Sequence, residues 1–249
     1  MSDDGRNLSA RTVLAGEFSE VAWIDGPRRG PAANRNTGAA AADGDVIIFL
    51  DDDCLPQPGL LVAYAQAFEA TSLCAAEGRI LADRPATRMD QVSPINENGG
   101  CFWSCNIALR RDFFEKTGGF DERFPAAAME DVEFRERIRK MGTPIEFVSD
   151  ALVLHPYRVM KGWKSLKQSA EAHAIYILFP ECHLPLPSYS RATIEVLRNI
   201  IRNYLPKLVA HRGRGFLLKT LSLIHPFWCV RLMKNALRNG RRFGPLNHE

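Results

Sequence analysis

The chain of 249 residues has no run of about 20 uninterrupted apolar residues, so the sequence predicts no membrane-spanning helix. Its N-terminus, MSDDGRN, has neither a basic segment nor an apolar one behind it, which argues against a standard secretory leader. Cysteine is sparse. Cys54, Cys74, Cys101, Cys105, Cys182 and Cys229 contain no C-x2-C pair, which argues against a zinc site and against a disulfide scaffold. Reduced thiols in a cytoplasmic protein are the expectation. There is also no internal repeat and no low-complexity tract, which removes solenoid architectures from consideration.

What remains is an ordinary globular composition, 46% hydrophobic and 24% charged, long enough for one large domain or a domain with an appendage. The net charge of +3 hides an asymmetry. Residues 191–249 hold twelve Lys/Arg against two Glu, a net of +10, which leaves −7 for residues 1–190. An acidic body with a basic tail points to two surfaces with different partners.

Over the first 160 residues, short β-like runs alternate with helical or loop-like segments, the pattern of an α/β domain. EVAWID reads as a strand, GPAANRNTGAAAA as a helix, and GDVIIFLDDD as a strand whose continuous apolar run implies burial on both faces. PGLLVAYAQAFEA has helix-start chemistry, AAEGRIL reads as a strand, and residues 84–100, with Pro85 and Pro94, as loop. FWSCNIALRR reads as extended, Gly118-Gly119 as a turn, MEDVEFRERIRKMG as a helix and IEFVSDALVLHP as a strand. From Trp163 onward the reading is mainly helical, broken at Pro180, Pro185, Pro187, Pro206 and Pro226.

In open α/β sheets ligands bind beyond the carboxyl ends of strands, and Asp51, Asp52 and Asp53 follow such an end. Three adjacent carboxylates repel one another, and a hard divalent cation with a phosphate-bearing ligand compensates them. A solvated turn accounts for the same residues. Glu130 and Asp131 open a predicted helix, where acidic side chains also suit the positive end of the macrodipole. His155 ends an apolar strand, a position that serves either structure or ligation.

The order and wording of these motifs carry more than each alone. From SDDGRN through RRGPAANRNTGAAAADGDVIIFLDDDC, GGCFWSCNIALRRDFFEKTGGFDERFP and MEDVEFRERIRKMG to VLHPYR, the sequence resembles the family 2 glycosyltransferases. The resemblance implies a GT-A fold, a Rossmann-like nucleotide half joined to an acceptor half, over residues 1–160, with 161–249 as a helical, basic C-terminal extension. It implies a metal-dependent, inverting transfer of a sugar from a nucleotide-diphosphate sugar to a hydroxyl of a glycan or lipid-linked acceptor. LDDDC is similar to the DXD motif, with Asp53 coordinating Mn2+ or Mg2+ and Asp51 and Asp52 contacting the ribose or completing the metal shell. His155 in VLHP then becomes a third metal ligand. MED resembles the motif whose Asp is the general base, which assigns that role to Asp131 and an orienting role to Glu130. Asp4 reads the nucleobase with Asp3 in support, and Arg35 lies near the nucleotide. Gly99, Gly100, Trp103 and Asn106 contact the acceptor, although Trp103 reads equally as core packing. A carboxylate-cluster phosphatase or nuclease fits DDD but leaves MED and the Gly-Gly segment unexplained.

Members of that family begin with a strand and helix ahead of the SDDG-like motif, and here Asp3 follows Met1 by two residues. A truncated, inactive remnant serving as a membrane-peripheral interaction partner is therefore the alternative expectation. The tail GRGFLLKTLSLIHPFWCVRLMKNALRNGRRF interleaves apolar side chains with Lys219, Arg231, Lys234, Arg238, Arg241 and Arg242. A basic amphipathic helix of this kind suits an anionic membrane surface, at the inner face of the plasma membrane, with Phe227 and Trp228 among the headgroups. It equally suits packing on its own domain. The continuous apolar face and the lack of a nucleic-acid motif argue against nucleic-acid binding.

Overall fold

The computed structural model describes residues 1–5, 9–70, 72–124, 126–160, 162–178 and 188–239. In chain order these form β1 (Ser2–Asp3), α1 (Ser9–Glu17), β2 (Ile24–Asp25), α2 (Pro31–Ala40), β3 (Val46–Leu50), β4 (Leu55–Pro56), α3 (Leu60–Ala70), β5 (Ala75–Ala82), β6 (Gln91–Val92), β7 (Asn106–Arg110), α4 (Arg111–Thr117) and α5 (Glu130–Lys140). β8 (Ile145–His155), β9 (Arg158–Val159), α6 (Trp163–Leu178) and α7 (Tyr189–Asn199) follow. A π-helical turn (Ile200–Tyr204) leads into α8 (Leu205–Ala210), α9 (Phe216–Ser222) and α10 (His225–Arg238). The chain divides into two compact units, residues 1–81 with 96–154, and residues 82–95 with 155–249.

The first unit is built on a five-stranded sheet of order β3-β7-β5-β8-β4, with β7 antiparallel to both β3 and β5. The VIIFL run of β3 is covered on both faces, as its unbroken apolar character predicts. Ile47 and Phe49 enter one core cluster, while Val46 and Ile48 pack against the other. The first cluster is rich in phenylalanine. The Phe120 ring lies 5.2 Å from Phe49 and 4.6 Å from Phe134, centroid to centroid, so one aromatic stack ties the end of β3 to the first turns of α5. Such pairs contribute about 1 kcal/mol each beyond their burial. Helix α5 has Glu130, Asp131 and Glu133 in its first turn and Arg137, Arg139 and Lys140 in its last, the arrangement its dipole favours.

Two sequence expectations are trimmed here. EVAWID forms a strand only at Ile24–Asp25, because its one partner, β1, is itself two residues long. Residues 84–100 are mostly loop but contain β6, whose ladder runs to β9 and so has no local sequence signal.

In the second unit α10 packs on α6 and α7, burying Cys229, Val230 and Met233, and Trp228 stacks 4.3 Å from Trp163. The three prolines at 180, 185 and 187 lie outside the described residues. The helical run is interrupted just ahead of Pro226, at Leu223 and Ile224, but it passes Pro206 without a break. Both prolines occupy the first turns of their helices, α8 and α10, where a missing N–H costs nothing, and the wider π-helical turn ahead of Pro206 lets the chain pass its ring. Phe216–Arg238 is long and apolar enough, by length and composition, to cross a membrane, a signal that the search for an uninterrupted apolar run passes over. In the structure a turn at Leu223 and Ile224 divides it into α9 and α10.

Glycine at position 78 is enforced by packing. A Cβ there would lie 2.3 Å from the Ala151 carbonyl oxygen and 2.2 Å from the Asn106 amide nitrogen. Gly78→Ala is therefore expected to destabilise the fold by about 3 kcal/mol, measured by urea unfolding, since the clashing carbonyl is backbone and cannot rotate away.

Candidate active site

The site begins with Arg35, on the second turn of α2. That helix starts with Pro31 in its first turn and Gly30 ahead of it at φ 106°, so its start is set by residues with suitable backbone angles. Arg35 is 15% exposed. One guanidinium nitrogen lies 3.0 Å from Glu130 Oε1 and another 3.1 Å from Asp51 Oδ1, while the group stacks 5.5 Å from the Phe120 centroid. Burial opposes its charge, but Asp51 and Glu130 outweigh that and hold its pKa above the ordinary value.

Glu130 is almost completely buried, and its Oε2 makes no hydrogen bond. Burial, and then the neighbouring Asp131 charge, push Glu130 up to about 7 in spite of Arg35. Burial also raises Asp131, against the pull of Arg35 and of the Val132 backbone N–H, which donates to its Oδ1 at 2.8 Å. Glu130 is therefore brought toward neutral pH, and Asp131 is shifted in the same direction. The residue before them, Met129, adopts left-handed backbone at φ 73°, and Phe102 does so at φ 53°. Such strain in non-glycine residues collects at functional sites.

At the end of β3 the chain turns at residues 51–54, the Cys54 N–H returning to the Asp51 carbonyl. One carboxylate oxygen each of Asp51 and Asp53 lie within 4.8 Å of each other, and Asp52 projects into solvent at the tip. Two hard oxygen ligands at this spacing fit Mg2+ or Mn2+. The Cys54 and Cys105 sulfurs are also close, within 4.8 Å; their hydrogen bond and then burial push the Cys105 thiol up, while the same contact lowers Cys54. β8 ends at His155, one residue beyond Leu154, whose register partner is Leu55, two positions after Asp53. The His155 ring Nδ1 lies 2.9 Å from the Pro156 carbonyl oxygen, which can only accept. Nδ1 therefore carries a proton and donates it to that oxygen.

Asp3 and Asp4 organise the loops beside α2. Asp3 accepts from the Gly5 N–H at 2.8 Å and from the Trp23 indole at 3.2 Å, and Asp4 Oδ1 accepts from the Arg28 N–H at 2.7 Å. Asn34, which the sequence reading passed over, holds β1 to α2 through the Ser2 carbonyl at 3.1 Å.

The acceptor assignments fare less evenly. Asn106 is fully buried, its amide donating to the Arg79 and Ala151 carbonyls at 3.0 and 2.8 Å and accepting from the Tyr64 hydroxyl at 2.9 Å. It is committed to the core and has no free group for an acceptor. Gly99 is dictated by Phe147, 2.9 Å from where a Cβ would stand, rather than by an approaching ligand. Gly100, at φ 94°, faces open space, and half-buried Trp103 packs against the second core cluster. The residue that shapes this loop is Glu77, buried within β5. It accepts from the Gly100 N–H, from the Phe102 N–H at 2.6 Å and from the Asn96 amide at 2.8 Å. A lone Glu inside the apolar AAEGRIL strand was the available signal, since a buried carboxylate requires donors.

The Glycosyl transferase family 2 profile matches residues 2–129. A pre-mycofactocin glycosyltransferase of Mycobacterium tuberculosis is 27% identical over 205 residues, covering 74% of this chain and 43% of that one. The chain thus spans less than half the length of that curated relative. Among solved structures, GalNAc-T7 with UDP, GalNAc and Mn2+ superimposes with a TM-score of 0.55 at 16% identity, covering 100% of this chain and 52% of that one. The glucosyl-3-phosphoglycerate synthase of Mycobacterium tuberculosis, in complex with Mn2+, UDP-glucose and phosphoglyceric acid, gives a TM-score of 0.51 at 16% identity, covering 74% and 67%. These likenesses establish a GT-A type of fold.

Replacing Arg35 with Met would strand two carboxylates. Arg35→Met is expected to cost roughly 3 kcal/mol in urea unfolding and to move Glu130 higher still, read by NMR titration of its carboxyl. The sign follows from the raised folded value. The Glu130 contribution is fully present below about 4.5, its ordinary value, and is lost as pH rises through about 7.

Proposed function

The chain belongs to glycosyl transferase family 2, and from that premise we propose that it moves a sugar from a nucleotide-diphosphate sugar to a hydroxyl of a glycan or lipid-linked acceptor, with inversion at the anomeric carbon. The observation that carries this reading is the Arg35 bridge, which brings the acidic turn and the start of α5 to one place. A transfer of this kind needs charge compensation for the leaving diphosphate beside a base for the incoming hydroxyl, and those are the chemistries of the two motifs.

Asp51 and Asp53 would hold Mn2+ or Mg2+, and the family resemblance adds His155 as a third ligand. When bound, the cation neutralises charge developing on the diphosphate. Asp52 at the turn tip and Asp3 and Asp4 at the end of β1 are the candidate contacts to ribose and nucleobase. Asp131 takes the proton of the acceptor hydroxyl as its oxygen attacks, and its raised proton affinity suits a base that must hold that proton. Glu130 fixes the base by its bridge to Arg35. Arg35 holds both motifs in register through its two ion pairs, so it positions the site without touching the reacting atoms.

The purified chain is expected to gain thermal stability from Mn2+ together with a matching member of a panel of UDP-, GDP- and dTDP-sugars, by about 2.7 kcal/mol at donor concentrations about a hundred times Kd. Absence of any shift across the panel opposes the assignment. Asp131→Asn is expected to lower kcat by on the order of 100-fold or more while the donor-induced shift persists. Asp53→Asn, by contrast, is expected to remove the Mn2+ dependence of that shift. Unchanged turnover in Asp131→Asn transfers the base role elsewhere.

A further inference from the structure

The arginines of residues 1–154 are largely ion-paired. Arg28, Arg29, Arg35, Arg84, Arg88, Arg123, Arg135, Arg137 and Arg139 each meet a carboxylate. From α7 to α9 the pattern reverses. Residues 189–222 hold seven Lys/Arg against the single Glu195, and among the described residues none of Arg191, Arg198, Arg202, Lys207, Arg212, Arg214 and Lys219 forms an ion pair. Burial and the neighbouring Lys207 push Lys219 below its ordinary value, as expected for cations that share no counter-ion.

The same helices carry an uncovered apolar stripe. Ile194, Leu197, Ile201, Leu205 and Val209 recur every three or four residues and are exposed by between 47% (Leu205) and 79% (Val209). Phe216 and Leu217 continue it on α9. The inward face of α7 is a different one, where Ala192 is buried. Contiguous apolar surface of this kind on a soluble chain marks an interaction site. Beside the stripe, Arg198 and Arg202 line a cavity of about 340 Å³ together with Glu195, Asn199 and Asn203.

We propose that the exposed face of α7, the π-helical turn, α8 and α9 is a docking surface for an anionic lipid bilayer, the stripe entering the headgroup boundary and the unpaired cations meeting lipid phosphates. A second copy of the chain is a poor occupant, because a symmetric contact would press these cations against their own images. A nucleic acid would satisfy the cations but leave the stripe in water. The assignment differs from the sequence expectation: Trp228 is engaged with Trp163, and α10 is covered by α6, so the lipid-facing segment lies before α10.

The test is flotation of the full chain with vesicles of phosphatidylcholine, with or without about one-third phosphatidylglycerol. Flotation is expected only with the anionic vesicles and is expected to fall at least about ten-fold in about 0.5 M NaCl. The double variant Leu197→Gln, Ile201→Gln replaces solvent-exposed side chains, and its unchanged Tm verifies the fold. It should lose flotation by about ten-fold or more, as should Arg198→Gln with Arg202→Gln. Absence of flotation, equal flotation on neutral vesicles, or full flotation of the stripe variant overturns the proposal. A dimer that dissociates in the stripe variant, tight binding of duplex DNA by that variant, or retention on vesicles through an alkaline carbonate wash reassigns the face to self-association, nucleic acid or membrane insertion and equally overturns it.

Discussion

Arg35 is a positive charge taken largely out of water and held between carboxylates that come from 16 and 95 positions further along the chain. Removing a cation from solvent is expensive, and the cost is offset only when partners are fixed at hydrogen-bonding distance. That demand dictates the neighbourhood. Asp51 must stand at the end of β3, Glu130 must open α5, and Phe120 must supply the flat wall on which the guanidinium rests. The aromatic stack of Phe49, Phe120 and Phe134 meets that demand by locking the same strand and helix together from the apolar side.

A second buried charge works by the same rule on the other side of the site. Glu77 lies inside β5, where an uncompensated carboxylate would be costly, and the N–H groups of Gly100 and Phe102 compensate it. The loop ahead of β7 is thereby held in a left-handed conformation at Gly99, Gly100 and Phe102 that it would not adopt alone. Asn106, on the neighbouring strand β7, likewise has its amide fully used within the core. Asn106, which reads as a ligand contact in a linear motif, is here part of the core.

The two units differ in how they treat charge. In the first, most cations pair with carboxylates a few positions away, while Arg29 and Arg35 join distant elements and so help specify tertiary structure. In the second, the cations of α7 to α9 have no such partners among the described residues and flank exposed apolar side chains.

Much of this was legible in the residues. The apolar VIIFL run, the Ala-rich helix opened by Pro31, the acidic-to-basic gradient of α5 and the long strand ending at His155 all rest on local chemistry: strand propensity, capping and dipole complementarity act over a few residues. The order of the motifs also singled out Asp51, Glu130 and Arg35, which the structure joins by ion pairs. Tertiary structure alone decided that Arg35 joins the acidic turn to α5, that Asn106 belongs to the core, that Glu77 shapes the Gly-Gly loop, and that the short ladders β1–β2 and β6–β9 exist. Burial and hydrogen-bond partnership depend on which distant segments meet, and a buried charge or amide is satisfied only by groups whose proximity the linear order does not encode.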